Sequence, residues 1–150
     1  MKEYVAGFLF NTEGFGIDKV ALVRKNRPDW QAGRLNAIGG KIEPGETPFQ
    51  AMQREFAEEA GHFRIDWEQF CTLTGDGWVV YFFRAFTPGV ESVVSTYTDE
   101  EIVVVPVDLA CQPVLPNLHW LVPMALSIDD DAASQFVVGE IYQPKALEAA

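Results

Sequence analysis

Cysteine is scarce in this chain. The two present, Cys71 and Cys111, have neither a metal-binding spacing nor the density of a disulfide scaffold, so free thiols in a reducing, cytoplasmic setting are expected. Positive charge is also short. Eleven Lys and Arg stand against 22 Asp and Glu, and the net charge of −11 argues against nucleic acid or an anionic membrane surface as a partner. Long apolar runs are missing as well. The run from Val5 to Phe10 meets Asn11-Thr12-Glu13, too soon for a secretory signal or for the ~20 residues of a membrane span. What remains is a chain of 150 residues with 48% hydrophobic content, which predicts one folded domain over residues 1–150 with no need of a metal or disulfide staple.

Charge is unevenly placed. Nine cations and nine carboxylates balance through Arg64, and the later part has only Arg84 and Lys145 as cations. Any anion-binding surface therefore draws on the first half, where Arg24, Lys25, Arg27 and Arg34 cluster; a solvated loop face is the other reading of that cluster. The run Asp129-Asp130-Asp131 reads as a surface loop, because adjacent side chains diverge.

Residues 4–10 and 19–24 are rich in Val, Leu and Phe and predict a strand pair across a turn with Asn11, Gly14 and Gly16. A loop over 25–34 leads to a short strand at 35–38 and the pair Gly39-Gly40. Thr47 as N-cap, Pro48 at the first helical position, Gln50 closing a capping box and Gly61 as the stop predict a helix over 48–60. Strands follow at 65–73, 78–86 and 102–107. Asn117 starts a short helix toward Leu126 that Pro123 interrupts, and a last strand runs over 136–142. The elements predict a mixed sheet.

The helix carries the chemistry. Phe49, Met52, Phe56 and Ala60 form its core stripe, while Glu55, Glu58 and Glu59 share the adjoining face one turn apart, where carboxylates repel. Such a face either holds a hard divalent cation or is a solvated acidic surface with an Arg54–Glu58 ion pair.

The wider pattern is Gly40, five residues, Glu46, seven residues, then Arg54-Glu55-Phe56-Ala57-Glu58-Glu59-Ala60-Gly61. It resembles the Nudix box of the Nudix (MutT-like) hydrolases, with all seven fixed residues at the family spacing; Phe56 and His62 are the two positions that depart from the usual types. The resemblance implies an α/β (α+β) fold, an α/β/α sandwich around a mixed sheet, and a Mg²⁺-dependent pyrophosphohydrolase, Mn²⁺ being the alternative cation. Glu55, Glu58 and Glu59 look like its metal ligands, with the carbonyl of Gly39 as a further one. Arg54 would orient Glu55 through a charge-assisted hydrogen bond, and Glu46 looks like a brace between loop and helix. A glutamate from a later loop serves in some relatives as ligand or general base. Here Glu101 matches it, with Glu100 as runner-up; Arg54, Glu55, Glu58 and Glu101 form the catalytic set. His62 is read as structural.

The substrate reading rests on the same resemblance. The segment Ala32-Gly33-Arg34-Leu35-Asn36-Ala37-Ile38-Gly39-Gly40-Lys41 is similar to that of the nucleotide-sanitising branch and makes Asn36 a base reader, while Pro116-Asn117-Leu118-His119-Trp120 resembles its second base-contacting segment. Asn117 as a helix cap alone is the competing reading. Arg24, Arg34 and Lys41 would neutralise phosphate oxygens. Trp120 leads Trp30, Trp78 and Phe83 as a stacking candidate, each of which is otherwise a core residue. The expected substrate is a nucleoside triphosphate cleaved to the monophosphate and pyrophosphate. ADP-ribose, a dinucleoside polyphosphate or a nucleotide sugar, or nucleotide binding without cleavage, are the alternatives. A homodimer is within what the family allows.

Overall fold

The computed structural model describes residues 1–14, 16–61, 64–127 and 136–139. Its elements, in chain order, are β1 (Lys2–Glu13), β2 (Gly16–Arg24), β3 (Leu35–Asn36), β4 (Ile38–Lys41), α1 (Pro48–Ala60), β5 (Glu68–Gly75), β6 (Trp78–Thr87), α2 (Val90–Val93), β7 (Ile102–Pro106), α3 (Leu118–Ser127) and β8 (Phe136–Val138). Among the described residues the strands form one mixed sheet of eight.

Strand β1 is its spine. Along one edge it runs parallel to β6 from Lys2↔Trp78 to Asn11↔Thr87. The other edge is divided: β4 pairs antiparallel with residues Tyr4 to Gly7, and β2 pairs antiparallel with Leu9 to Glu13. Strand β2 also carries β3 and β7, and β6 carries β5, which takes β8 in parallel.

The period of two along β1 sends alternate side chains to two cores. Phe8 and Phe10 pack with Val20, Leu22 and Phe82 beneath Leu118, Leu121, Val122 and Ala125 of α3. Val5 and Leu9 pack with Ala21, Val23, Phe83 and Ala85 against Ala51, Met52, Phe56 and Ala60 of α1. The result is a helix on each face of the mixed sheet, the layering expected of the fold.

Helix α1 begins as its sequence dictates. Thr47 Oγ1 accepts from the Gln50 amide at 3.2 Å, Gln50 Oε1 accepts from the Thr47 amide at 2.9 Å, and Gly61 closes the helix at φ 82°. Phe49 does not join the core stripe and is 42% exposed. A helical side chain covers the turn before its own Cα, and in the first turn there is none to cover.

Strand β5 starts at Glu68 rather than at Ile65, because the Trp67 amide turns back to the Ile65 carbonyl at 2.9 Å instead of entering the ladder. Helix α3 passes through Pro123 to Ser127; burial of Leu121, Val122 and Ala125 outweighs the hydrogen bond that Pro123 cannot donate. Asn117 stands where a cap belongs, and its carbonyl accepts from the Leu121 amide at 3.0 Å, but its side-chain Oδ1 is buried with no hydrogen-bond partner. The expected side-chain cap is therefore not made. Helix α2, unanticipated, is fixed by Asn11 Oδ1, which accepts from the Val90 amide at 2.9 Å. The Asp129–Asp131 run, His62 and the end of the last expected strand at 140–142 lie outside the described residues.

Candidate active site

Strand β4 delivers Gly39 and Gly40 opposite Ala6 and Val5. Neither could carry a side chain without displacement. A Cβ on Gly39 would lie 2.0 Å from the Val5 carbonyl oxygen, and one on Gly40 would lie 2.5 Å from the Glu55 carboxylate. Glu55 thus lies directly over Gly40, and the glycine is what lets helix and strand approach.

Arg54 organises the face beside it. Its Nε and Nη2 donate to the two carboxylate oxygens of Glu46 at 2.7 and 2.9 Å, and Nη2 also donates to the Lys41 carbonyl at 3.0 Å. Nη1 donates to Glu55 at 2.9 Å and to Glu58 at 3.3 Å. Glu46 further accepts from the Glu43 amide at 2.9 Å, so it braces the loop before the helix as expected. These bonds hold the Glu46 carboxyl below the usual range, and the bonds that Arg54 donates to Glu46 foremost raise Arg54.

Glu55 and Glu59 are shifted the other way. Burial raises Glu55, with Arg54 opposing. Burial and then the Glu55 charge push Glu59 up to about 8; Lys25 opposes this shift and Glu100 adds to it. Glu59 Oε2 is buried and has no hydrogen-bond donor. Glu58 is more than half exposed. Among the described residues no three acidic, histidine or cysteine side chains are already drawn together as a metal-ligating group. Arg54 holds Glu55 and Glu58, and the like charges keep apart.

The donor set nonetheless fits a hard divalent cation. Glu55, Glu58 and Glu59 are all-oxygen donors, and the unpaired Oε2 of Glu59 is a buried acceptor that a cation would satisfy.

The later loop sets Glu100 and Glu101 in unlike surroundings. Glu101 is 63% exposed and pairs with Arg24 at 3.6 Å. Glu100 is the buried one: it accepts from Lys25 Nζ at 2.9 Å and from the Asn26 amide at 2.6 Å. Those bonds outweigh burial and hold its carboxyl below the usual range. Arg27 pairs with Asp99. Three successive carboxylates thus engage Arg24, Lys25 and Arg27, the cluster read from sequence as a phosphate or solvent face. Sequence reasoning missed this partnership, although matched runs of opposite charge were its visible signal. The same loop reaches the end of α1, where the Ser95 and Tyr97 amides donate to the Ala60 and Glu59 carbonyls at 3.3 and 3.2 Å.

Arg34 and Lys41 are exposed. Asn36 is half-buried on β3, its Oδ1 accepting from the Ala37 amide at 2.8 Å and its Nδ2 donating to Gln31 at 3.2 Å. A parallel bridge between Leu35 and Val114 lays the approach to Asn117 and Trp120 beside that strand. Trp120 is half-buried against the α3-side core, Trp78 is half-buried, Trp30 is 67% exposed and Phe83 is buried among the α1-side core residues. Phe83 is therefore core.

The geometry has relatives. The NUDIX domain of NrtR from Shewanella oneidensis, solved with ADP ribose, superimposes with a TM-score of 0.70 at 19% identity, covering 83% of this chain and 85% of that one. A MutT structure from work on Aliivibrio salmonicida and Vibrio cholerae gives 0.68 at 25% identity over 85% and 98%. MutT from Bacillus halodurans gives 0.67 at 18% identity over 97% and 92%. Among curated proteins, none matches the sequence significantly. The NUDIX domain family matches residues 2–124, which include β1 to β7, the glycine pair, Arg54 and its carboxylates. The chain belongs to the NUDIX domain family, that of the Nudix hydrolases.

Proposed function

We propose that the protein is a Mg²⁺-dependent pyrophosphohydrolase that cleaves a nucleoside triphosphate to the monophosphate and pyrophosphate, Mn²⁺ serving in place of Mg²⁺. The family membership and the hydrolases among its structural relatives support the reaction class. The observation that carries the reading is the Arg54 network, which fixes Glu55 over Gly40 beside Glu58 and Glu59, whose Oε2 has no donor.

Glu55, Glu58 and Glu59, with the Gly39 carbonyl, would hold the divalent cation, and Glu101 or Glu100 would complete the set. When bound, the cation supplies charge neutralisation for the phosphates and a lowered pKa for an attacking water. The chain's own groups do the rest. Arg54 keeps Glu55 aimed and opposes the rise that burial gives its carboxyl, and the exposed Lys41 and Arg34 offer cations to phosphate oxygens. Arg24, held by Glu101 and by the Gly33 carbonyl, offers its charge only if those bonds exchange. Asn36 and Asn117 are the amides for a base edge, and Trp120 offers a ring to stack on it.

A non-catalytic nucleotide module is the second reading, favoured by the likeness to the NrtR domain solved with ADP ribose. The acidic balance speaks against nucleic acid as a partner. Among the described residues no helix is long and apolar enough to cross a membrane. The two cysteines are unpaired, in keeping with a reducing cytoplasm.

The test is phosphate release from canonical and damaged nucleoside triphosphates with added pyrophosphatase, and from ADP-ribose, dinucleoside polyphosphates and nucleotide sugars with added phosphatase, each with and without Mg²⁺. Metal-dependent turnover concentrated on triphosphates is expected. Turnover of none, by folded protein that binds nucleotide, would establish the second reading.

A further inference from the structure

The Asn36 side chain is gripped at both ends. The Ala37 backbone N–H can only donate, so the amide atom 2.8 Å from it is the oxygen, Oδ1. That places Nδ2 at the other end, 3.2 Å from Gln31, which must in turn present its carbonyl Oε1. The polarity of the pair thus follows from one backbone donor.

Gln31 is itself well anchored. Its backbone N–H donates to the Pro28 carbonyl at 2.8 Å and its backbone carbonyl accepts from the Arg34 backbone N–H at 2.9 Å. The Lys25 amide donates to the Arg34 carbonyl, and the Gly33 amide to the Lys25 carbonyl, both at 2.8 Å, closing the loop on itself. Gly33 makes this turn at φ 81°, in the left-handed region. Glu100 then fastens the loop at Lys25 and Asn26. A continuous run of hydrogen bonds therefore reaches from the loop ahead of β7 to the Asn36 amide.

We propose that Gln31 is a positioning residue that sets base selectivity by fixing the orientation of the Asn36 amide. The proposal rests on the reading of Asn36 as a base contact. With one Nδ2 hydrogen and one Oδ1 lone pair engaged, the other hydrogen and lone pair address a base in one fixed order of donor and acceptor. Removing the Gln31 carbonyl leaves the amide held only by the Ala37 N–H, so the group can turn about that bond and its remaining hydrogen and lone pair are no longer held toward the base.

The experiment compares kcat and KM for dGTP, dATP, dCTP and dTTP, with Mg²⁺, in the wild type, Gln31→Leu, Gln31→Glu, Asn36→Ala and the double variant Gln31→Leu/Asn36→Ala. Gln31→Leu is expected to raise KM for the preferred triphosphate about 3- to 10-fold with kcat retained, and to narrow the spread of kcat/KM across the four bases by a similar factor. Gln31→Glu keeps an acceptor and is expected to retain selectivity. In the Asn36→Ala background, Gln31→Leu is expected to add nothing. Selectivity lost in Asn36→Ala but kept in Gln31→Leu overturns the role of Gln31 alone, as does a Gln31→Glu variant as unselective as Gln31→Leu. Selectivity kept in Asn36→Ala overturns the base reading beneath it.

Discussion

Glu46 takes the Arg54 guanidinium side-on, accepting Nε at 2.7 Å and Nη2 at 2.9 Å, which leaves Nη1 aimed at Glu55 and Glu58. A lysine has the charge without the fork and cannot serve both sides at once. Arg54→Lys is expected to lower kcat/KM by about 10- to 100-fold and to weaken Mg²⁺ binding, with little loss of fold. Steady-state kinetics at several Mg²⁺ concentrations check this; unchanged kcat/KM would remove Arg54 from the positioning of Glu55.

The two adjacent glycines should fail in different ways. An alanine at 40 meets the far end of a flexible side chain, the Glu55 carboxylate, while one at 39 meets the Val5 backbone. Gly40→Ala is expected to keep its melting temperature and lose turnover by about 10²-fold or more, whereas Gly39→Ala is expected to destabilise by about 1–3 kcal/mol or more. Thermal unfolding measured beside activity separates the two.

Glu59 gives the metal-free protein a pH dependence of definite sign. Burial and the Glu55 charge hold its folded pKa at about 8, above the 4.5 of an ordinary glutamate. The stability it contributes is complete below pH 4.5 and is lost as pH rises through about 8. In EDTA the melting temperature is expected to fall across that window by several degrees, Glu59→Gln is expected to flatten the fall, and Mg²⁺ is expected to offset it. A melting curve independent of pH from 5 to 8 in EDTA would contradict this.

Glu100 and Glu101 are neighbours with unequal work. Glu100 is buried against Lys25 and the Asn26 amide, and Glu101 is exposed beside Arg24. Glu100→Gln is expected to cost about 1–3 kcal/mol and Glu101→Gln no more than about 1. Denaturant unfolding gives both values, and equal losses would deny Glu100 its anchoring role.

Much of α1 was legible because its signals are local. Thr47, Pro48, Gln50 and Gly61 each act within a turn of the residue they cap, and the carboxylate spacing is a property of the helix itself. Of the pairings that cross the chain, the sequence shows two runs of opposite charge and not which residues meet. Nothing near Lys25 says that Glu100 will bury against it, and nothing near Tyr97 says that its amide will meet the end of α1. Phe49 shows a limit of a different kind, since periodicity assigns an angle around the helix and is silent about what stands beyond its first turn.

The divided edge of β1 has an evolutionary corollary. Because β4 is registered on Tyr4 to Gly7 and β2 on Leu9 to Glu13, the glycine pair beneath α1 owes its position to its own ladder and not to the length of the β2–β3 connection. Residues can be gained, lost or exchanged in that connection while Gly39 and Gly40 stay in place under Glu55. What the protein reads and how it cuts can therefore drift on separate clocks.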